Sequence, residues 1–326
     1  HKGNPDVKDD VRTSYMWKEI LTKDNILQWL EEYIILEKKT EIGFNKQKKN
    51  IERIIFPRYH QFHEVTEIVK DVKNKGVAGQ NYLVMDSPGS GKTFSIAWLA
   101  YHLASLHNNS NENIYDSIIV ITDRLVVDSQ LQDAINEIPH EPGEVKFMDN
   151  DCSSEDLAKA INDNEKIIVS TIQKFSYILS KVSPNSSKKY AIIIDECHSS
   201  TKGDYIGNTI KSLSAKAENE DDEEIDGQDF INDEMEKDIA RNGKPKNITF
   251  FGFSATPKKK TLEKFGTEIV DSNGNPVLDE KGRPIYKPFT CYSMQQAIDE
   301  GFILGVLKNY TIYKTYFEIN KLIKDN

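Results

Sequence analysis

The sequence predicts an α/β domain in which a mostly parallel sheet is flanked by helices. From residue 82 onward, short apolar runs rich in β-branched residues alternate with helical stretches. That pattern is typical of a parallel sheet whose strands are buried on both faces. A glycine-rich loop joins the first of these runs to a helix, which is the context that a phosphate-binding loop requires. A pair of adjacent acidic residues follows a later run, at the sheet edge where such folds bind ligands.

Individual elements follow from hydrophobic periodicity and from capping signals. Helices are predicted at 13–39, 58–74, 92–106, 128–138, 172–181 and 292–301. Strands are predicted at 82–85, 117–121, 166–169, 190–194 and 248–253. Residues 40–52 are polar and lysine-rich and indicate a connector, and the apolar tail 303–319 indicates a final strand.

Three segments are expected along the 326 residues. Residues 1–52 are predicted to be an N-terminal helical lead-in, 53–310 the nucleotide-binding domain, and 311–326 a linker. Within the central domain, an Asn-Gly and a Lys-Gly turn signal predict a small hairpin at about 267–290.

The net charge of -10 is concentrated in one stretch of the chain. Residues 218–238 contain twelve acidic residues and one lysine, a net -11, which leaves the remainder at +1. A nearly neutral remainder is compatible with a local basic groove, so the overall charge does not exclude nucleic acid as a partner. Residues 216–230 show no periodicity and predict a mobile acidic insertion.

Composition excludes several classes of protein. No window approaches the roughly 18 consecutive apolar residues of a membrane span, and no basic segment followed by an apolar one indicates a secretory leader. The three cysteines, Cys152, Cys197 and Cys291, are odd in number and far apart. That spacing argues against a disulfide framework and fits a reducing compartment, so we expect a cytoplasmic protein with no membrane partner.

The strongest chemical signal is the octapeptide Asp-Ser-Pro-Gly-Ser-Gly-Lys-Thr at 86–93. Its glycines allow backbone N–H groups to turn toward phosphate oxygens, and the following helix N-terminus adds positive potential. Lys92 is expected to reach the β- and γ-phosphates of ATP, and the Thr93 hydroxyl to ligate Mg²⁺. The first position of this pattern is usually Gly or Ala, but here it is Asp86. The predicted nucleotide-binding residues of the loop are Ser87, Pro88, Gly89, Ser90, Gly91, Lys92 and Thr93.

Two further signals follow later strands. An apolar run delivers Asp195 and Glu196 at its carboxyl end. Asp195 is expected to hold Mg²⁺, and Glu196 to orient and deprotonate the attacking water. Ser254 and Thr256 belong to a Ser-Ala-Thr-Pro segment after the run 248–253. Small hydroxyl residues at that position can link a nucleotide site to a neighbouring surface.

The order of these three signals resembles motifs I, II and III of superfamily-2 helicases and translocases. More closely, the chain resembles the motor (R) subunit of type I restriction endonucleases over about residues 15 to 320. Four segments carry this closer likeness. They are Trp17–Leu21 with Asn25–Leu27, the Pro-Arg-Tyr-His-Gln element at 57–61, the Ser-Thr-Ile-Gln-Lys-Phe element at 170–175, and the segment 292–304.

The resemblance implies a RecA-like fold and roles for further residues. Gln61 would read the adenine edge of ATP, since a side-chain amide both donates and accepts. Arg124 would contact DNA phosphates, and Thr171 and Gln173 the tracked strand. His198, with Ser254 and Thr256, would relay the γ-phosphate state to the DNA surface. The catalytic set is then Lys92, Asp195, Glu196 and His198.

By this resemblance the chain is the first RecA-like domain of an ATP-dependent translocase of double-stranded DNA. Its partners would be double-stranded DNA and the methylase and specificity subunits, and its cofactors ATP and Mg²⁺. The family's nuclease and second RecA-like domains are expected outside this chain, so the isolated fragment is expected to be nearly inactive. Two alternatives remain: another superfamily-2 translocase or repair helicase, and a nucleotide-binding DNA-assembly module without turnover.

Overall fold

In the part of the chain that the structure describes, seven parallel strands form the central sheet. The structure is a computed structural model. It describes residues 10–11, 13–14, 16–42, 48–122, 129–148, 152–182, 187–195, 234–239 and 245–305. The strands in chain order are β1 (Ile35–Ile42), β2 (Lys48–Ile55), β3 (Asn81–Asp86), β4 (Ser117–Thr122), β5 (Val145–Phe147), β6 (Ile167–Thr171), β7 (Tyr190–Ile194), β8 (Ile248–Ser254), β9 (Thr267–Glu268), β10 (Tyr286–Lys287) and β11 (Thr290–Tyr292).

The helices alternate with the strands of the central sheet. They are α1 (Lys23–Gln28), α2 (Tyr59–Lys75), α3 (Lys92–Ala104), α4 (Ser129–Glu137), α5 (Ser154–Asn162), α6 (Phe175–Val182), α7 (234–239), α8 (Lys259–Phe265) and α9 (Met294–Asp299). π-Helical turns flank α1 at Met16–Ile20 and Trp29–Tyr33. No helix in the described part of the chain has both the length and the apolar character needed to cross a membrane.

The strand order of the central sheet is β11-β3-β8-β7-β4-β6-β5. Because all pairs are parallel, the carboxyl ends of the strands lie at one edge. The register places Met85 of β3 opposite Ser254 of β8, and Thr122 of β4 opposite Thr171 of β6. The predicted α/β class with a mostly parallel sheet flanked by helices is therefore confirmed.

The sheet separates two apolar cores, one on each face. Within one strand the side chains alternate between them: Ile193 of β7 packs in the core beneath α2, α3 and α4. Ile192 and Ile194 pack in the core beneath α5, α6 and α8. Every residue of β4, β6, β7 and β8 is buried. This burial explains why these strands read as continuous apolar runs in the sequence.

The prediction of a helical lead-in across 1–52 is wrong for its second half. The helix predicted at 13–39 ends at Tyr33, and residues 35–42 form strand β1. The connector predicted at 40–52 contributes to both strands of an antiparallel hairpin, in which β1 pairs with β2. This two-stranded hairpin is separate from the central sheet.

Alternating burial explains why residues 35–42 form a strand. Ile35 and Glu37 are each 2% exposed and point inward, whereas Leu36 between them is 52% exposed. Arg53 of β2 lies opposite Glu37 and donates a hydrogen bond of 3.0 Å from Nη2 to its Oε1. A buried carboxylate requires such a partner. From the sequence alone, where this partner cannot be identified, Glu37 is expected to be a solvent-exposed helical residue.

Several short elements were not predicted from the sequence. They are the edge strands β5 and β11 and the helices α5, α7 and α8. In the segment 267–290, β9 pairs antiparallel with β10. The acidic segment 216–230 and most of the tail 303–319 lie outside the described residues.

We expect Ile193→Ala to destabilise the fold by about 2–5 kcal/mol, because it removes a fully buried side chain from a central strand. Ile54→Ala is the matched control, since Ile54 is 70% exposed. It should change the free energy of unfolding by about 0.5 kcal/mol or less. Urea denaturation of both variants measures the difference, and similar losses would contradict the described burial.

Candidate nucleotide site

The candidate site lies at the carboxyl edge of the central sheet. β3 ends at Asp86 and leads into the glycine-rich loop, while β7 ends one residue before Asp195. β8 lies between these two strands and ends at Ser254. Adjacent strands are about 4.8 Å apart, so the end of β7 lies roughly 10 Å from that of β3. This edge is where open α/β sheets bind ligands.

The loop at 86–93 has a backbone conformation that only glycine adopts easily at two positions. Gly89 has φ 73° and Gly91 φ 91°, both in the left-handed region. Gly91 is the residue before the first turn of α3, and no side chain caps that turn. The positive end of the helix therefore faces the loop, as phosphate binding requires.

Three side chains from the start of α2 hold the loop by its carbonyl groups. Arg58 Nη1 donates to the carbonyl oxygens of Gly89 at 3.2 Å and Ser90 at 3.3 Å. His60 Nε2 lies 3.0 Å from the Ser90 oxygen, and Gln61 Nε2 donates to the Gly91 oxygen at 2.9 Å. We call these three side chains the carbonyl clamp.

The carbonyl clamp determines which way the peptide groups of the loop face. In a planar trans peptide, the N–H of the next residue points away from the carbonyl. With the Ser90 and Gly91 carbonyls directed at α2, the N–H groups of Gly91 and Lys92 point away from it. Backbone donors are thereby oriented before any anion arrives.

His60 acts as a neutral donor in this arrangement. A carbonyl oxygen only accepts, so the His60 Nε2 carries the proton in the contact with Ser90. Burial lowers the pKa of His60 below its ordinary value, which favours the neutral imidazole. Its ring stacks on Tyr292 with centroids 3.8 Å apart.

Gln61 uses both ends of its amide inside the protein. Its Oε1 accepts from the backbone N–H of Arg58 at 2.8 Å, which stabilises the first turn of α2. Its Nε2 holds the Gly91 carbonyl, and the side chain is 4% exposed. The adenine contact stays a prediction, and the structure adds a loop-positioning contact to it.

The segment after β10 packs against the loop and against the carbonyl clamp. Ser87 donates its N–H to the Tyr292 carbonyl at 3.0 Å, because β11 pairs with β3. The Arg58 guanidinium lies 4.2 Å from the centroid of the Phe302 ring. A Cβ built at Gly89 would lie 3.2 Å from Ile303 Cγ2. The loop therefore contacts both the start of α2 and residues 292–303.

Three of the residues predicted for phosphate and magnesium are described at this edge of the sheet. Lys92 is 8% exposed at the start of α3, and the half-buried Thr93 follows it. Asp195 is also half-buried. A hydroxyl oxygen and a carboxylate oxygen are ligands that suit Mg²⁺.

Of the other predicted residues, three have side chains that the structure describes and the rest do not. Ser254 is buried at the end of β8, whereas Thr256 is exposed two residues later. Thr171 ends β6, four strand spacings or about 19 Å from β3, too far for direct nucleotide contact. Arg124, Glu196 and His198, and the side chain of Gln173, lie outside the described residues.

The sequence analysis did not assign Arg58, His60 or Tyr292 to the site. Arg58 and His60 were noticed only as part of a family-like element, without a role. In the sequence these residues form a cluster of hydrogen-bond donors at the start of a helix. The cluster indicates a role in the site only once α2 is known to pack beside α3.

The parallel sheet, the glycine-rich loop at the end of β3 and the helix that follows it define a RecA-like fold of the P-loop nucleoside-triphosphatase class. A family model described as the SWI2/SNF2 ATPase matches residues 60–324. The chain therefore belongs to the SWI2/SNF2 ATPase family. No curated protein matches it significantly.

Solved structures with a similar arrangement are distant. A nuclease-deletion mutant of the type ISP restriction-modification enzyme LlaGI, in complex with a DNA substrate mimic, is 14% identical with a TM-score of 0.42 and covers 78% of this chain and 22% of its own. The type ISP enzyme LlaBIII bound to DNA is 15% identical, with a TM-score of 0.41. The match covers 79% of this chain and 15% of LlaBIII. The Sulfolobus solfataricus SWI2/SNF2 ATPase core in complex with double-stranded DNA is 14% identical, with a TM-score of 0.37. The match covers 64% of this chain and 34% of that protein. The chain thus matches 15% to 34% of the length of these three proteins.

We expect Gly91→Ala to destabilise the protein more than Gly274→Ala. Both positions have positive φ, 91° and 84°, and share a cost of about 1–2 kcal/mol for a left-handed alanine. A Cβ at Gly91 would lie 2.7 Å from Gln61 Nε2, whereas nothing lies within 4 Å of one at Gly274. Breaking the Gln61–Gly91 hydrogen bond adds about 0.5–1.5 kcal/mol.

Urea denaturation of the two glycine variants measures this difference. Equal losses would show that the Gln61 side chain moves aside without cost, and would weaken the role of the carbonyl clamp.

Proposed function

We propose that this chain is the ATP-binding motor domain of a type I restriction enzyme. In that role it drives ATP-dependent translocation of double-stranded DNA before a separate domain cleaves it. Membership of an ATPase family supports the coarser part of the proposal. The resemblance of four segments to the R subunit supports the finer part.

The observation that carries the proposal is the place of the Arg-Tyr-His-Gln element. Of the four segments that resemble the R subunit, this one supplies all three side chains of the carbonyl clamp. The segment 292–304 also resembles the R subunit, and it contacts both the loop and the carbonyl clamp. Two subfamily-like segments thus surround the general phosphate motif.

Phosphate binding would be performed by the loop and by Lys92. Backbone N–H groups oriented by the carbonyl clamp donate to phosphate oxygens, and the Lys92 ammonium neutralises charge on the β- and γ-phosphates. Because these donors are held in place beforehand, little reorganisation is needed when the transferred phosphoryl group gains charge.

Thr93 and Asp195 would hold Mg²⁺, which when bound neutralises charge on the phosphate oxygens. Glu196, directly after Asp195, would orient and deprotonate the attacking water. His198, Ser254 and Thr256 would pass the state of the site to the DNA surface. Arg124, Thr171 and Gln173 would contact DNA.

Two alternative functions differ in whether the chain must hydrolyse ATP. Another superfamily-2 translocase or repair helicase is favoured by the breadth of the SWI2/SNF2 family match. A nucleotide-binding DNA-assembly module would keep the phosphate site without turnover.

The decisive experiment measures DNA-stimulated ATP hydrolysis and triplex displacement by the full-length protein. Both are measured with and without methylase and specificity subunits, which the proposal expects to be encoded by neighbouring genes. Translocation that needs those subunits and starts from a specific site supports the proposal. Translocation without them favours the general translocase, and nucleotide binding without hydrolysis favours the assembly module.

We expect Lys92→Ala to weaken ATP binding about 10- to 100-fold. The loss of charge-assisted contacts costs about 1.5–3 kcal/mol, at roughly 1.4 kcal/mol per factor of ten. Lys70→Ala is the matched control, because the Lys70 side chain on α2 is 67% exposed. Titration of a fluorescent ATP analogue measures both, and unchanged affinity for Lys92→Ala would refute the assignment of the phosphate site.

Gln61→Ala separates loop positioning from adenine recognition. The contact of Gln61 with Gly91 acts on phosphates that ATP and GTP share. We therefore expect affinity for both nucleotides to fall by a similar factor. Competition titrations with ATP and GTP measure the ratio, and a selective loss of ATP affinity would instead assign the amide to the adenine edge.

A further inference from the structure

Two aromatic rings of the segment after β10 cover side chains of the carbonyl clamp. The Tyr292 ring stacks on the His60 ring, with centroids 3.8 Å apart and ring planes 10° from parallel. The Phe302 ring lies beneath the Arg58 guanidinium, whose central carbon is 4.2 Å from the ring centroid. No role was predicted for Phe302 from the sequence, and the phosphate machinery proposed above does not use it.

The end of α9 determines where the Phe302 ring lies. Gly301 has φ 80°, the left-handed conformation in which many helices end. The turn directs the Phe302 N–H back to the Ala297 carbonyl, at 2.9 Å. Just before this turn, Glu300 accepts a hydrogen bond of 2.6 Å from the Tyr292 hydroxyl. The two rings are therefore joined within one short segment, and each contacts a different side chain of the carbonyl clamp.

Core burial does not account for the position of the Phe302 ring. Among the described residues, neither apolar core includes Phe302, and its side chain is 45% exposed. The contact with Arg58 does account for it, because a cation above an aromatic face is attracted by the negative potential of the ring. The guanidinium is also a flat group that packs well on such a face.

The contact restricts a side chain that must reach two acceptors at once. Arg58 Nη1 donates to the carbonyl oxygens of Gly89 and Ser90, at 3.2 and 3.3 Å. An arginine side chain has many rotamers, and only a few of them place one nitrogen between two acceptors. Because the other rotamers would break the contact with Phe302, the ring increases the population of the rotamer that holds the loop.

We propose that Phe302 is a positioning residue for phosphate binding. Its ring holds the Arg58 guanidinium on the Gly89 and Ser90 carbonyls, and the N–H groups of the loop stay oriented as a result. Phe302 touches no phosphate itself and acts through Arg58. This role of Phe302 rests on the proposed ATP-binding function, and it adds a link between the phosphate loop and the segment 301–305.

Thermodynamic linkage makes the effect reciprocal. If docking of the Phe302 ring raises the affinity of the loop for nucleotide, bound nucleotide must favour the docked ring by the same factor. The N–H groups of Phe302 and Ile303 report the docked state, since both donate to the Ala297 carbonyl, at 2.9 and 3.3 Å. The stability of the turn after α9 therefore depends on whether the loop is occupied.

Leucine and tyrosine at position 302 separate the aromatic ring from apolar bulk. A cation–π contact at a partly exposed site corresponds to about a two- to fivefold change in an equilibrium constant. We therefore expect Phe302→Leu to weaken binding of a fluorescent ATP analogue to the full-length protein about two- to fivefold. Phe302→Tyr keeps the ring and should restore the affinity to within about 1.5-fold of wild type.

Leu304→Ala is the matched control, because Leu304 lies two residues further along the chain and is 78% exposed. It should leave the affinity unchanged. Equal affinity of Phe302→Leu and wild type would overturn the proposal. Tighter binding by Phe302→Leu would overturn it as well, since the ring would then compete with nucleotide for Arg58.

A double-mutant cycle tests whether Phe302 acts through Arg58. Arg58→Met keeps an unbranched apolar stem and removes every guanidinium donor, so it should itself weaken binding of the analogue. In that background Phe302→Leu should cause no further loss, because the group that Phe302 positions is gone. The same factor of loss in both backgrounds would show that Phe302 acts by another route, and would refute its assignment.

Hydrogen exchange tests the reciprocal effect, with a non-hydrolysable ATP analogue and Mg²⁺ as the probe. In wild type, saturating analogue should slow exchange of the Phe302 and Ile303 amides about two- to fivefold, the factor that Phe302→Leu loses in affinity. Unchanged exchange with the analogue bound would refute the role of Phe302 and leave the phosphate site standing. A wild-type protein that binds no analogue would refute the proposed ATP-binding function, and the role of Phe302 with it.

Discussion

The candidate site depends on the carbonyl clamp, in which three side chains of one short segment hold three consecutive carbonyl groups. A glycine-rich loop has many accessible conformations, and only a few direct its N–H groups toward a common point. Arg58, His60 and Gln61 fix the loop through its carbonyls at 2.9 to 3.3 Å. The loop therefore carries its phosphate-facing conformation as a property of the fold, stabilised by contacts made on its opposite side.

The carbonyl clamp in turn requires two packed elements. α2 must lie beside α3 so that its first residues reach the loop, and the core residues Val65 and Ile68 hold it there. β11 must pair with β3 so that Tyr292 can stack on His60 and accept from Ser87. Segments more than 200 residues apart in the chain thus meet around the loop at 86–93.

The N-terminal region shows where periodicity alone misleads. The apolar spacing through Tyr33 continues into Ile34 and Ile35, so one long helix was predicted. Ile35 and Glu37 nevertheless point inward at a spacing of two, because Arg53 of a second strand neutralises Glu37. A charged residue normally marks an exposed position, and only the cross-strand partner makes its burial favourable. The short edge strands β5 and β11 escaped prediction for a related reason, since three residues are too few to show a period.

The sequence by itself determined the α/β class, the buried strands and the phosphate loop. Strands buried on both faces need continuous apolar runs, and a loop that turns its amides toward phosphate needs glycines before Lys92, so both leave local patterns. Only the tertiary structure decided what surrounds that loop. The contacts made by the donors of Arg58, His60 and Gln61 depend on which helix packs beside which strand. Such contacts join residues that are distant in the chain, and no local pattern encodes them.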